Sequence, residues 1–440
     1  MAGKFSKKRS AAQSSWLFGL VLIALLLAAV FFGARWVLRA SKALREKAPA
    51  AENASASASP TPETSAPEAS EPETMQAPET DTNTQPQPDT QTQSLPEAPS
   101  SEASRVTLMA LGDNLIHNTV YWSAETPDGG YDFTPFYAAI APVVQQYDIA
   151  CINQETILVD DPALYANYPN FGSPTQVADA LADTGFSVVT GATNHCFDKG
   201  ETGILDTCRY WREHHPDITT LGIHDSQPDA QTLRVVEKNG IRLAFLNYTY
   251  GLNGGAPQKS WMIDRFGSFD AVKDDLARAK EAADFVIVFA HWGEENTFRP
   301  NEYEKNWAQV LADGGADLII GGHPHVVQPA HILMADGGRE VPVFYSLGNF
   351  LSHQTKPQNM LGGMASVTIC KDDTGTFVEH YELLPTVNLI TKNPENGWYH
   401  YLPMLLSDYT PELAASHHIA GCSVEDMQTL FEKIISGTAG

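Results

Sequence analysis

The sequence predicts a mixed α/β fold for the chain from Arg105 onward. Short apolar runs alternate there with segments of helical spacing, which is the pattern of β-α-β units around a sheet. Several runs are followed at once by Asp, Glu, Asn or His. The clearest case is the pair His323 and His325, which flanks Pro324 just after the run 316–320. Because proline ends regular strand pairing, both imidazoles can turn into one space and bind a metal; two solvated histidines in a turn are the alternative.

The composition argues against some classes of function. The chain has 440 residues and a formal net charge of −25, so it lacks the basic surface on which nucleic-acid binding depends. Its five cysteines are scattered and contain no C-x-x-C pair, which argues against a disulfide scaffold or a thiolate zinc site. We therefore predict no nucleic-acid partner, and whether Cys196 and Cys208 pair stays open.

Residues 1–47 are predicted to form a cytoplasmic tail and a transmembrane anchor. The uncharged run 10–34 is long enough to cross a bilayer as a helix. A cleaved signal peptide is the alternative, since the apolar stretch 20–27 is followed by two alanines. Basic residues lie on both sides of the run, so the positive-inside rule does not decide its orientation. We expect a single-pass membrane protein whose globular domain lies outside the cytoplasm.

Residues 48–104 are predicted to be a disordered acidic linker. The segment is rich in Pro, Ser, Thr and Glu and contains no Lys, Arg or aromatic residue. Such a composition cannot bury enough apolar surface to offset the entropy of ordering. The linker would hold the following domain, 105–390, away from the membrane.

Within the domain, strands and helices follow from hydrophobic periodicity. We predict strands over 106–111, 148–152, 186–189, 242–248, 285–290, 316–320, 343–347 and 377–384. Helices are predicted over 133–146, 173–182 (capped by Ser173), 203–213, 269–283 and 303–312. Residues 391–440 are predicted to be a C-terminal extension with a packing helix that Ser423 caps, and the stretch 387–409 is predicted to be irregular.

The residues that follow the apolar runs are the candidate site. In open α/β sheets, ligands bind in the crevice beyond the carboxyl ends of the strands. Each residue has an ordinary alternative, such as an Asx-turn for Asp113, a buried core histidine for His291 or a turn for Asn349. Their number favours one shared site; they are Asp113, Glu155, Asn194, His195, His291, His323 and Asn349.

This ligand set suits divalent metals. Carboxylate, imidazole and amide groups without thiolate favour Mn, Fe, Zn or Mg, and there are enough of them for two ions bridged by Asp113 or Glu155. His195 could donate a proton to a leaving oxygen while Asp198 orients its other nitrogen. A helix N-cap is the alternative role for Asp198.

The motifs resemble one known family. Gly-Asp at 112–113, Asn-x-Glu at 153–155, Thr-Asn-His at 193–195, His-Trp-Gly at 291–293, Gly-x-His-Pro-His-Val at 321–326 and Tyr-Ser-Leu-Gly-Asn-Phe at 345–350 resemble the CapA family of bacterial capsule and poly-γ-glutamate synthesis proteins. That family is similar in fold to the calcineurin-like metallophosphoesterases. The resemblance implies a four-layer α/β/β/α sandwich with a two-metal site at the strand ends.

The resemblance also implies roles for individual residues. The metal ligands would be Asp113, Glu155, Asn194, His291, His323 and His325, and the catalytic histidine would be His195. His117 is a further candidate ligand, because the phosphoesterase pattern begins Asp-x-His and here a histidine follows Asp113 by four positions. Beside these motifs lie the candidate substrate-binding residues, Asn153, Trp292, Glu294 and Asn349, although Trp292 also suits a wall of the site.

We expect a membrane-anchored protein for the synthesis or export of capsule or poly-γ-glutamate, with a two-metal hydrolase site. An anionic surface polymer, capsule-synthesis proteins and the cell membrane are the expected partners. The alternatives are a metal-dependent phosphoesterase acting on cell-envelope substrates and a non-catalytic surface binding module.

Overall fold

A computed structural model describes residues 103–439 of the protein. The predicted membrane anchor and nearly all of the predicted linker lie outside these residues, so both stay predictions. Within 103–439, every helix is too short or too polar to span a bilayer.

The described residues form strands, α-helices and short 3-10 turns. The strands are Ser104–Asn114 (β1), Ile149–Gln154 (β2), Leu158–Val159 (β3), Ser173–Pro174 (β4), Val188–Thr190 (β5), Thr219–Leu221 (β6), Arg234–Lys238 (β7), Ile241–Thr249 (β8), Phe285–His291 (β9), Leu318–Gly322 (β10), Ala330–Met334 (β11), Glu340–Phe344 (β12), Asn349–Leu351 (β13), Leu361–Asp372 (β14), Gly375–Lys392 (β15) and Tyr399–Leu405 (β16). The helices are Asn118–Ser123 (α1), Thr134–Tyr137 (α2), Ala141–Val144 (α3), Gln176–Thr184 (α4), Gly200–His214 (α5), Gln227–Gln231 (α6), Phe269–Ala282 (α7), Glu302–Gly314 (α8), Pro411–Ser416 (α9) and Val424–Ile435 (α10). Single 3-10 turns cover Pro162–Leu164, Ser260–Met262, Pro357–Asn359 and Leu406–Asp408.

Two mixed sheets carry the fold, which confirms the predicted α/β class. The first has the strand order β16-β15-β14-β1-β2-β5-β6, with β13 also paired to β1. The second has the order β11-β12-β10-β9-β8-β7. In both sheets the central strands are parallel (β1-β2-β5-β6 and β8-β9-β10-β12), so their carboxyl ends lie at one edge.

The two sheets pack face to face, with helices on their outer faces. Alternate residues of β1 show the arrangement: Leu108 and Ala110 join the core shared by both sheets, and Met109 and Leu111 face the helical layer that includes α2 to α4. The outer face of the second sheet is covered by α7 and α8. Because both faces of the central strands are buried, their sequences are continuously apolar rather than alternating.

Two predicted helices differ from the structure because of proline. The predicted helix 133–146 is two short helices, α2 and α3, each with a proline in its first turn. Proline lacks the backbone donor and restricts the residue before it, so one continuous helix cannot pass Pro142. Ser173 does not cap a helix: it pairs with Leu158 in a two-stranded ladder, and α4 begins later, at Gln176.

The C-terminal residues belong to the first sheet and do not form a separate extension from residue 391. Strand β15 continues to Lys392, and β16 pairs with it along the edge of the sheet. Helix α10 begins with the predicted cap, since Ser423 and Asp426 form a reciprocal capping box. Its Met427 and Ile434 are buried in the same core as β16.

A buried histidine beyond β6 predicts a pH dependence of stability. His224 lies between Asp229 (3.1 Å) and Asp264 (2.9 Å). Burial alone would lower its pKa, but the two carboxylates outweigh burial and raise the pKa of His224 to about 9. A raised pKa in the folded state gives stability that is complete below the unfolded value near 6.5 and is lost as the pH rises through about 9.

We therefore expect His224→Gln to lower the free energy of unfolding by about 2–3 kcal/mol near pH 6 and by much less at pH 9.5. Urea unfolding of wild type and variant at both pH values measures this difference. The exposed His380 on β15 provides the control His380→Gln, whose effect should be small at both pH values. An equal cost of His224→Gln at pH 6 and 9.5 would contradict the linkage.

Candidate metal centre

The strand ends bring the predicted ligands together. Asp113 is the next-to-last residue of β1, and the parallel pairing of β1 with β2 and with β13 places it opposite Asn153 and Asn349. In the second sheet, His291 ends β9 opposite Gly322 of β10, directly before His323. The facing sheets therefore contribute carboxylates from one side and imidazoles from the other.

Asp113 links the two sheets. It is fully buried, and its Oδ2 lies 3.0 Å from Nδ1 of His325 and accepts a hydrogen bond from the backbone N–H of His323 at 3.2 Å. Its Oδ1 accepts a hydrogen bond of 2.8 Å from Nδ2 of Asn153. These contacts fix the carboxylate in place, and they assign Asn153 to holding Asp113.

Glu155 is the least satisfied group of the site. The residue is fully buried, yet neither carboxylate oxygen has a hydrogen-bond partner. Its Oε1 lies 3.7 Å from Nε2 of His325 and 3.8 Å from Nε2 of His291. Burial raises the pKa of Glu155 well above its ordinary value. A buried carboxylate without donors is costly unless it binds a cation.

Two overlapping groups of buried side chains could each hold an ion. One consists of Glu155, His323 and His325, and the other of Asp113, Glu155 and His291; within each group the ligand atoms lie within 4.8 Å of one another. Glu155 is common to both, and Nδ1 of His323 also lacks a partner. The residues therefore fit divalent cations that accept oxygen and nitrogen ligands.

The backbone of the His-Pro-His segment is strained. His323 has a φ of 96° and His325 a φ of 57°, in the left-handed region that costs roughly 1–3 kcal/mol for such residues. Gly322 beside them has no room for a side chain, since a Cβ would lie 2.6 Å from Oδ1 of Asp113. Strain of this kind clusters at functional sites, where surrounding contacts hold it.

The protonation of His291 and His323 suits cation binding. Burial, reinforced by the neighbouring imidazoles, lowers the pKa of His291 and of His323 well below its ordinary value. Both therefore stay neutral at physiological pH and keep a lone pair for an ion. Burial would also lower the pKa of His325, but the charges of Glu155 and Asp113 raise it to about 9. The predicted ligand Asn194 lies next to them, with Oδ1 2.9 Å from Nε2 of His291.

His195 and Asp198 form a hydrogen-bonded pair. Nδ1 of His195 lies 2.6 Å from Oδ2 of Asp198, and both residues are buried. The same oxygen accepts a 2.8 Å hydrogen bond from the backbone N–H of Phe171, whose ring packs edge-on against His195 at 4.7 Å. Asp198 therefore orients the imidazole. It is not the N-cap of α5, a position that Lys199 occupies without a side-chain bond.

Two predicted residues are not members of the two ligand groups. His117 precedes α1, and its Nδ1 accepts a hydrogen bond from the backbone N–H of His353 at 3.1 Å; burial lowers its pKa to about 3. Trp292 is fully buried and donates from Nε1 to the carbonyl of Tyr345 at 2.9 Å, in the core beneath α7 and α8. This position does not fit a substrate contact.

The other two substrate-binding candidates are Asn349 and Glu294. Asn349 is buried beside Asp113, but its amide donates to Oε1 of Gln354 at 2.8 Å, and its own oxygen has no partner. Glu294 is exposed, in the loop after β9. Neither is a member of the two ligand groups.

The segment after β8 contains two residues that the sequence analysis did not select. The ring of Tyr250 lies 4.6 Å from that of His323, and Nδ2 of Asn253 lies 3.3 Å from Nε2 of His195. Burial, then the charges of Glu295 and Glu155, raise the pKa of Tyr250 to about 12. Both residues follow the carboxyl end of a parallel strand. The sequence pattern selected only Asp, Glu, Asn or His directly after an apolar run, and neither Tyr250 nor the more distant Asn253 meets it.

Two of the solved structures that match this chain are named as a phosphatase and a phosphoesterase. A phosphatase from Mycoplasma pneumoniae is 16% identical, with a TM-score of 0.42 over 64% of this chain and 94% of that chain. The calcineurin-like phosphoesterase YfkN from Bacillus subtilis is 15% identical, with a TM-score of 0.37 over 64% of this chain and 90% of that chain.

Curated relatives are similar in sequence to part of this chain. The capsule biosynthesis protein CapA of Bacillus anthracis is 28% identical over 265 residues, which cover 58% of this chain and 61% of that protein. The PGA biosynthesis protein CapA of Bacillus subtilis (strain 168) is 32% identical over 199 residues, which cover 45% of this chain and 50% of that protein. The matches thus span about half to three fifths of these relatives. A family model described as bacterial capsule synthesis protein PGA_cap matches residues 107–354, more than half of the chain, and the protein therefore belongs to this family.

Proposed function

We propose that the protein is a metal-dependent hydrolase of phosphoesters that acts in the assembly or export of a bacterial capsule polymer. One observation carries the proposal: the buried Glu155 is common to two groups of ligand side chains, and both of its oxygens lack a hydrogen-bond partner. Such an arrangement is costly in a protein whose role is only structural, and a pair of divalent ions sharing Glu155 would satisfy it.

The side chains that would hold two ions are Asp113, Glu155, His291, His323 and His325, with Asn194 beside them. When bound, divalent ions supply a Lewis acid for a phosphoryl oxygen and lower the pKa of water. Asn153 keeps Asp113 oriented through its 2.8 Å hydrogen bond. Partners of this kind commonly change metal affinity or activity by about 10- to 100-fold.

His195 would protonate the leaving oxygen. Asp198 engages Nδ1 at 2.6 Å, so Nε2 is the nitrogen left to face a substrate. The carboxylate holds the ring in one tautomer and stabilises its protonated form. Thr193 fixes the backbone beside it, since its hydroxyl accepts from the N–H of His195 at 3.2 Å.

The biological part of the proposal is supported by family membership and by charge. The PGA_cap family and the two CapA relatives are named for capsule or PGA synthesis. An anionic polymer would meet a chain of net charge −25, and like charges repel. Bound cations at the candidate metal centre would give the polymer a place of opposite charge. We further propose that residues 10–34 anchor the chain in the membrane, with the domain on the outer side and capsule-synthesis proteins as partners.

Metal content and phosphate release test the proposal. We expect the purified full-length protein to bind about two divalent ions per chain, measured by elemental mass spectrometry. It should hydrolyse p-nitrophenyl phosphate or bis-p-nitrophenyl phosphate, lose this activity in EDTA, and regain it with Mn²⁺, Fe²⁺, Zn²⁺ or Mg²⁺. A protein that binds no ion, or that binds ions and hydrolyses neither ester, would contradict it.

Polymer binding without catalysis is the second candidate, and the burial of His195 favours it. Only 2% of the surface of His195 is exposed, which restricts access to the proposed proton donor. A host strain carrying His195→Ala separates the two functions. Loss of the surface polymer supports hydrolysis, and an unchanged polymer supports binding alone.

A further inference from the structure

We propose that Tyr250 is a substrate-binding residue of the candidate metal centre and that its hydroxyl donates a hydrogen bond to an oxyanion. This inference rests on the proposed function, and it adds a ligand contact from a segment without metal ligands. Four observations carry it: the backbone anchors of the segment 250–253, the position of the ring, its partial exposure and the free hydroxyl.

The segment 250–253 is fixed to both halves of the site. The backbone N–H of Tyr250 donates to the carbonyl of His291 at 2.9 Å, and that of Asn253 donates to the carbonyl of Asn194 at 2.8 Å. Thr249, just before the segment, pairs with His291 across β8 and β9. Each anchor is a residue of the metal centre or its direct neighbour, so the segment has a defined position above it.

The two side chains of the segment reach opposite parts of the site. The ring of Tyr250 lies 4.6 Å from the ring of His323, with an angle of 40° between their planes. Nδ2 of Asn253 lies within 3.5 Å of both ring nitrogens of His195, so the amide packs against that imidazole. The segment thus extends from a metal ligand to the proposed proton donor, along the path that a phosphoester would occupy.

Tyr250 can reach a ligand from this position. It is 38% exposed although it packs on a buried histidine, so part of the residue is accessible to solvent. Among residues 103–439, no side chain or backbone group forms a hydrogen bond with its hydroxyl. A phenol held beside a cation site with an unused donor suits a phosphoryl oxygen, because hydrogen bonds to charged acceptors are among the stronger ones.

Inorganic phosphate is the probe that tests the contact without requiring turnover. Calorimetric titration of the Mn²⁺-loaded full-length protein with phosphate should show about tenfold weaker binding by Tyr250→Phe, which corresponds to about 1.4 kcal/mol. Phenylalanine keeps the ring against His323, so the number of bound Mn²⁺ ions should not change. Tyr303→Phe is the matched control: Tyr303 is 40% exposed on α8, outside the ligand groups, and its loss of a hydroxyl should not alter phosphate affinity.

The outcomes separate this inference from the proposed function. Weaker phosphate binding by Tyr250→Phe alone supports the inference, even if the wild-type protein hydrolyses neither test ester and the hydrolase proposal fails. Equal affinity of wild type and Tyr250→Phe overturns the inference, even if hydrolysis is observed. It is also overturned if wild type binds no phosphate, or if Tyr250→Phe binds fewer ions.

Discussion

Replacing Glu155 by Gln is expected to destabilise the metal-loaded protein and to stabilise the metal-free protein. In the fold both oxygens of Glu155 are buried and accept no hydrogen bond. Leaving a buried charged group unpaired costs on the order of 1–3 kcal/mol or more, and the neutral amide avoids most of this cost when no ion is present. With ions bound, the same substitution removes the one ligand that both groups share.

Unfolding in urea, with and without Mn²⁺, measures both the expected loss and the expected gain of stability. Without metal, in EDTA, we expect the free energy of unfolding of the variant to exceed that of wild type by about 1–3 kcal/mol. With Mn²⁺ bound, we expect it to be lower than that of wild type. Bound metal should drop from about two ions to one or none. Because a directly bound ligand matters at least as much as its supporting residues, hydrolysis should fall by about 100-fold or more.

The control is the same chemical change at an exposed site. The side chain of Glu302 at the start of α8 is 82% exposed, so Glu302→Gln should leave metal content, activity and both stabilities nearly unchanged. If Glu155→Gln destabilised the protein equally with and without metal, Glu155 would have a purely structural role. That result would remove the observation on which the hydrolase proposal depends.

The sheet edge was predictable because strand ends can be located without knowing how the strands pair. Asp113, Glu155 and His291 each follow an apolar run, and parallel strands bring their carboxyl ends to one edge. This reasoning needs only the end of each run, which fixes the edge of the sheet at which a residue lies. Tyr250 also follows a parallel strand, β8, but a tyrosine is not among the metal-ligand types that mark a strand end as part of a site.

Side-chain direction was harder to predict than position along the chain. Trp292 follows His291 directly, and successive residues of an extended segment point to opposite sides. A ligand at 291 therefore turns the next side chain into the core between the second sheet and its helices. The direction of the His117 ring does not follow from its spacing to Asp113, because it depends on a turn before α1 that the sequence does not specify.

Long-range strand pairing could not be predicted from the sequence either. Strand β16 contains Pro403 and the exposed His400, so its periodicity is weak. Only its ladder with β15 makes it a strand. The apolar residues Tyr401 and Met404 join the core of the first sheet once that ladder forms. Tertiary contacts of this kind override local propensity.

His195→Ala is expected to lower kcat by about 100- to 10,000-fold while the bound metal stays at the wild-type level. General acid catalysis contributes an effect of this size, and His195 is not a member of either ligand group. Asp198→Asn should lower kcat by about 10- to 100-fold, because the partner only orients the imidazole. Hydrolysis of p-nitrophenyl phosphate, with elemental analysis of each variant, measures both effects.

The double variant shows whether the two residues act as one unit. If Asp198 works only through the imidazole, His195→Ala with Asp198→Asn should be no slower than His195→Ala alone. A second pair, His215 and Asp179, has a similar contact of 2.7 Å but lies partly exposed outside the site; the same substitutions there should leave kcat unchanged. A double variant as slow as the product of the two single effects would mean that Asp198 acts independently of His195. Its hydrogen bond from the backbone N–H of Phe171 would then be the contact that matters, since the carboxylate makes that bond without the imidazole.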